Sequence, residues 1–78
     1  MSGTIGCWVA ESDVADLLRD AERGHPGVAI GSYPFFREGR VGANFVVRSS
    51  DAALVDACLA DLTRGLSASG RDVVPGGI

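Results

Sequence analysis

Apolar and polar positions along the chain sort into short alternating runs and two helical stretches. Thr4 to Ala10 (TIGCWVA) is a β-prone run that predicts a first strand, and the acidic and hydroxyl residues after it are of the kind that start helices. From Ser12 onward, Val14, Leu17, Leu18 and Ala21 recur at helical spacing, while Asp13, Asp16, Arg19, Asp20, Glu22 and Arg23 fall mostly between them. Ser12 or Asp13 is expected to cap this amphipathic helix, and Gly24 with Pro26 beyond it to stop it. Val28 to Tyr33 (VAIGSY) predicts a second strand ended by Pro34, and Gly42 to Arg48 (GANFVVR) a third. Between them Pro34 to Arg40 reads as a connection carrying Phe35 and Phe36, with a turn at Arg37-Glu38-Gly39-Arg40. The pair is therefore expected as an antiparallel hairpin with a longer loop. Ser49-Ser50-Asp51 offers caps for a second helix, in which Leu54, Val55, Cys58, Leu59, Leu62 and Leu66 keep the helical period toward Gly70. Gly65 is expected to weaken that helix late, by about 1 kcal/mol relative to alanine. Arg71 to Val74 offers a short fourth strand before Pro75-Gly76-Gly77.

The order β-α-β-β-α with a final short β predicts an α+β fold, a ferredoxin-like or KH-like sandwich whose antiparallel sheet carries two helices on one face. Residues 1–78 are read as a single small domain, because domains run from about 50 to 250 residues. Strand parity points Val28, Ile30, Phe45 and Val47 at the helices and Tyr33, Val46 and Arg48 the other way. The face opposite the helices, bearing Trp8, Tyr33, Val46 and Arg48, is then only partly polar. It reads as an interaction surface for a partner domain or a second copy, or as a solvated face with a few tolerated apolar residues.

Charge narrows the classes of partner. The formal net charge of −3 has the wrong sign for a chain whose main work is neutralising phosphates, which makes nucleic acid a poor fit. Every base is an arginine, which excludes lysine Schiff-base chemistry and a phosphate-loop lysine. No apolar stretch approaches the roughly 20 residues of a membrane span, and Met1-Ser2-Gly3-Thr4 lacks the basic start of a signal peptide, so a cytoplasmic location and no membrane partner are expected. In that compartment Cys7 and Cys58, far apart and flanked by apolar residues, are expected as buried free thiols. His25 lies in a turn by composition and cannot assemble a zinc site with such widely separated cysteines, so neither a metal nor another cofactor is expected.

No catalytic set is legible. Gly24-His25-Pro26-Gly27 and Gly39-Arg40-Val41-Gly42 match the G-x-x-G clamp of KH domains, but eleven glycines make chance matches common and neither lies between two helices. Gly42-Ala43-Asn44-Phe45-Val46 has a faint likeness to the third-strand motif of RRM domains without its stacking aromatics. Ser32, Ser49 and Ser50 have no visible partners for a triad, and Asp13/Asp16 or Asp56/Asp61 are better explained as helix surface. Arg37 and Arg40 beside Phe35 and Phe36 form either the rim of an anion site over an aromatic base or the solvated tip of a hairpin. With Tyr33 they are the candidate ligand-binding residues.

The stretch from Pro26 to Arg40 (PGVAIGSYPFFREGR), followed by Phe45-Val46-Val47-Arg48-Ser49-Ser50-Asp51, is more specific than any of these motifs. It resembles the region after the molybdopterin-binding-like domain in competence/damage-inducible protein A relatives, and the corresponding part of some FAD synthetases. The likeness runs loosely from Glu11 to Leu66. That family's nucleotide-handling residues lie in a preceding α/β domain with no counterpart here, so no catalytic residue carries over. The resemblance implies a non-catalytic accessory or oligomerisation domain, partnered by a second copy or by a molybdopterin-binding-like nucleotide-binding domain. A small-ligand or anion-binding regulator is the alternative, and a single-stranded nucleic-acid binder ranks below it.

Overall fold

A computed structural model describes residues 1–78. Four antiparallel strands form one sheet in the order β2-β3-β1-β4, where β1 is Ser2–Cys7, β2 Ala29–Arg37, β3 Arg40–Arg48 and β4 Val73–Pro75. Helices α1 (Ala15–Gly24) and α2 (Ala52–Ala68) lie on one face, which is the ferredoxin-like arrangement. No helix is long and apolar enough to cross a membrane.

Phe45, Val47, Cys7, Cys58, Leu62 and Leu66 are fully enclosed between sheet and helices, with Ile5, Val14, Val28 and Val55 around them. The expected parity holds: Phe45 and Val47 face the helices, while Tyr33, Val46 and Arg48 stand on the opposite face. Gly65 does more than loosen α2. A Cβ there would lie 2.6 Å from Leu17 Cδ1, so the missing side chain is the socket into which α1 packs.

Several boundaries differ from the sequence-based expectation. The first strand begins at Ser2, next to Met1, which is tied to Ser49 through both its amine and its carbonyl, and it ends at Cys7, its last residue paired with β3 and β4, rather than running to Ala10. Glu11–Val14 forms a turn of 3₁₀ helix before α1, and neither Ser12 nor Asp13 makes a side-chain cap. Pro34 does not end the second strand. Ile30 N–H points off the free edge of β2 onto Glu22 Oε2 at 2.9 Å, and Pro34 shares that parity, so its absent N–H costs no ladder bond. The hairpin has no long loop: only Glu38 and Gly39 stand outside the strands. Both have positive φ, +52° and +76°, the geometry whose twist matches paired strands. Phe35 and Phe36 therefore belong to β2.

The second helix ends at Ala68, two residues before Gly70, which takes φ +84° while Gly70 N–H and Arg71 N–H bond back to the carbonyls of Ser67 and Leu66. This pattern satisfies two carbonyls that the helix end would otherwise leave free. The fourth strand is Val73–Pro75, paired with β1. At the other end of α2, Asp51 accepts from Ala53 N–H at 2.9 Å, and Ser49 Oγ accepts from Asp51 N–H at 3.2 Å. Asp51→Ala is expected to destabilise the chain by about 1 kcal/mol in urea unfolding, with Asp51→Asn largely restoring it.

Candidate functional site

The face of the sheet away from the helices carries the candidate residues. Its backbone is rich in glycine, and large side chains lie flat across the gaps. A Cβ at Gly42 would stand 2.5 Å from Phe35 Cζ and 3.1 Å from Trp8 Cε3, one at Gly31 would meet the Tyr33 ring at 3.0 Å, and one at Gly6 would meet Ile78 Cγ1 at 2.7 Å. Aromatic rings laid over strand glycines cover backbone that would otherwise be bare. Asn44 continues the pattern by fixing the chain end: its Oδ1 accepts from Ile78 N–H at 2.8 Å and its Nδ2 donates to Ile78 C=O at 3.1 Å.

At the hairpin end of this face Trp8 and Phe35 meet edge to face, with centroids 5.3 Å apart and planes at 83°. Arg40 Cζ lies 4.2 Å from the Trp8 centroid and Arg37 Cζ 4.5 Å from that of Phe35, within cation–π range. Arg37 and Arg40 are direct partners in the ladder, closing the two-residue turn. Like charges directly opposite cost roughly 0.2–1 kcal/mol in a sheet. No carboxylate offsets this: the arginines in ion pairs are Arg19, with Asp16, and Arg64, with Asp61. The rings hold both guanidiniums in place and leave their N–H edges to solvent.

Tyr33, grouped in the sequence reading with Arg37 and Arg40, belongs to a different pair. Arg48 Nη2 donates to its hydroxyl at 3.0 Å, and Tyr33 lies four residues from Arg37, about 13 Å along the strand. Of the four candidate interface residues, Tyr33 and Arg48 thus make direct contact, Val46 stands beside them, and Trp8 belongs to the arginine cluster. Phe35 is the cluster member that sequence reasoning missed as a strand residue. Its register partner, Gly42, was the signal, since a glycine inside a strand marks a close approach. On the opposite face of the same hairpin, Phe36 and Val41 are paired and exposed, at 70% and 46%.

The groups suited to catalysis are separated or engaged elsewhere. His25 Nδ1 is 2.8 Å from Ala21 O and Nε2 is 2.9 Å from Asp61 Oδ2, so the imidazole ties the end of α1 to α2 instead of idling in a turn. Asp61 is accordingly more than helix surface. Ser32 Oγ faces the helices, buried and without a hydrogen-bond partner. Cys7 and Cys58 are free and fully buried, and burial pushes both thiols above their usual range. No group of three His, Cys, Asp or Glu side chains gathers at metal-binding distance. A shallow pocket of about 610 Å³ opens at the other end of the strands between Met1, Val28, Arg48 and Ser50.

No curated protein and no solved structure matches the chain significantly. A family model does match, that of the FAD synthase middle domain, over residues 1–72. This corrects the assignment to competence/damage-inducible protein A and the molybdopterin-binding family: of the two groups that the Pro26–Arg40 stretch resembled, the FAD synthetases are the one the match supports. With nearly its whole length covered, the chain belongs to the FAD synthase middle-domain family.

Proposed function

We propose that this chain is a non-catalytic accessory domain that docks, through the open face of its sheet, onto a neighbouring domain of an FAD-synthase-type protein. The observation that carries the reading is the composition of that face: Trp8, Tyr33 and Arg48 project from a sheet that no helix covers. These are the residue types enriched where interfaces concentrate their binding energy. The family supports it as well, since a middle domain works between neighbours. Charge favours a partner other than a second copy meeting it face to face, because the charged strand side chains of this face, Arg37, Arg40 and Arg48, are all positive and a second copy would bring the same sign against them.

The test is a titration of the ¹⁵N-labelled chain with the remaining domains of an FAD synthase lacking its own middle domain. Amide shifts are expected to concentrate on Trp8, Tyr33, Val46 and Arg48. Tyr33→Ala, at a half-exposed position, is expected to weaken binding about tenfold or more without unfolding the chain. Shifts confined to α1 and α2, or no shifts at all, would overturn the reading. So would a dimer in sedimentation that Tyr33→Ala dissociates.

A further inference from the structure

We infer that Arg37 and Arg40 form a binding site for a phosphoryl dianion, separate from the Tyr33–Arg48 end of the same face. The two arginines are joined across the two-residue turn Glu38-Gly39, which holds their Cα atoms within about 7 Å. Both stand on the open face, each lying over an aromatic ring, Arg37 on Phe35 and Arg40 on Trp8. The two rings brace one another edge to face. A guanidinium stacked in this way has its long side chain ordered before any ligand arrives, and its planar fork of N–H donors remains available. Neither arginine forms an ion pair, and Glu38 between them bonds to neither. The chain thus places two like charges opposite one another, orders them, and leaves both uncompensated.

The charge count selects the ligand class. One carboxylate satisfies one guanidinium fork, whereas two adjacent forks call for a group carrying close to two negative charges and several acceptor oxygens. A phosphate monoester or terminal phosphate has about −1.5 to −2 charge near pH 7 and three such oxygens. Half of the ten acidic side chains, Asp16, Asp20, Glu22, Asp56 and Asp61, belong to the helices on the other side of the sheet, and Glu38, the one in the turn itself, pairs with neither arginine. This inference does not depend on the docking reading, because it concerns the hairpin end of the face and a small ligand.

Trp8 is the sole tryptophan, so its emission reports directly on the Arg40 stack. The experiment titrates the full chain with inorganic phosphate and with pyrophosphate, using chloride and acetate at matched ionic strength as comparison arms, and follows Trp8 fluorescence. Saturable changes are expected with phosphate and pyrophosphate and not with chloride or acetate. Arg40→Gln should abolish the saturable change and Arg37→Gln should weaken apparent affinity at least tenfold, whereas Arg64→Gln on α2 should leave it unaltered. Because Arg40→Gln also changes the fluorophore's surroundings, binding to all three variants is measured in parallel by calorimetry. A response that acetate or chloride reproduces, equal binding by Arg37→Gln and the parent chain, or no saturable change overturns the proposal. Trp8 is common to both readings, so the docking test is decided at Tyr33, Val46 and Arg48, where Tyr33→Ala leaves Trp8 and both arginines in place, and each proposal can fail without the other.

Discussion

Phe45→Ala is expected to remove most of the stability of the chain and leave it near the midpoint of unfolding at room temperature. Phe45 sits on β3, an interior strand bonded to β1 on one side and β2 on the other, and it is completely buried. Its register partners are Ile5 on β1 and Ser32 on β2, and all three face the helices. Truncating a buried phenylalanine costs about 3–5 kcal/mol, from the lost burial together with the cavity left behind. A chain of 78 residues has roughly 4–12 kcal/mol to lose, and short chains lie low in that range because so much of their surface stays exposed. Ser32 makes collapse of the cavity harder, since its hydroxyl is already buried without a partner beside the space that would open. Urea unfolding followed by circular dichroism checks the expectation. Phe45→Leu, which keeps most of the volume, should cost about 1–2 kcal/mol and retain a cooperative transition. A Phe45→Ala chain as stable as the parent would refute the packing described here.

The second large effect concerns the thiols. Cys7 and Cys58 are fully buried and free, so a disulfide-exchange reagent can reach them only when the chain opens. An opening free energy of about 4 kcal/mol slows labelling roughly a thousandfold relative to the unfolded chain. Labelling at pH 7.5 is therefore expected to be slow in buffer and complete within minutes in concentrated urea. Rapid labelling of either cysteine in buffer would place that residue outside the core.

Burial also raises both thiols above their usual range. For Cys7 the Arg71 charge opposes the effect and Asp72 adds to it, and for Cys58 both Asp61 and Glu22 add to it. Below the ordinary thiol range the folded and unfolded chains both keep these protons, and stability does not depend on them. As pH climbs past about 8.5 the unfolded chain gives up its thiol protons while the folded chain retains them, so stability falls. The slope is at most about 1.4 kcal/mol per pH unit for each thiol. The absence of lysine keeps this alkaline limb clear of amine side chains. Cys58→Ala should flatten its share of the decline in urea midpoints measured from pH 7 to 10. An unchanged slope in Cys58→Ala would contradict the raised Cys58 thiol.

Much of the fold is written in local pattern. The period of Leu54, Val55, Cys58, Leu62 and Leu66 defines α2 because one buried stripe on a helix needs that spacing, and Asp51 announces its start because a short carboxylate can reach the first free amides. The alternation of Phe45 and Val47 against Val46 and Arg48 likewise fixes which face of β3 is buried. Other features depend on neighbours that no local pattern names. Pro34 stops a strand only if its missing N–H was needed, and the strand order, which puts β2 at the edge, decides that it was not. The same holds for Glu38, whose positive φ follows from the demand that the turn match the twist of two long paired strands.

The candidate site divides in the same way. Composition and position placed Arg37 and Arg40 near aromatic residues, because those residues are close in sequence. Which rings they lie on was settled in three dimensions: Trp8 arrives beside Phe35 over Gly42 from the far end of β1, and Arg40 rests on Trp8 instead of on either neighbouring phenylalanine. His25 shows the limit of local reading most clearly. Glycine and proline around it specify a turn, but its partner Asp61 is supplied by a helix that begins more than twenty residues later. The sequence alone determined that this is an acidic, arginine-only α+β chain with two capped or periodic helices and a half-apolar sheet face. Only the tertiary structure decided which side chains meet on that face, because contacts between strands and helices follow from sheet order and register, and these are properties of the whole chain.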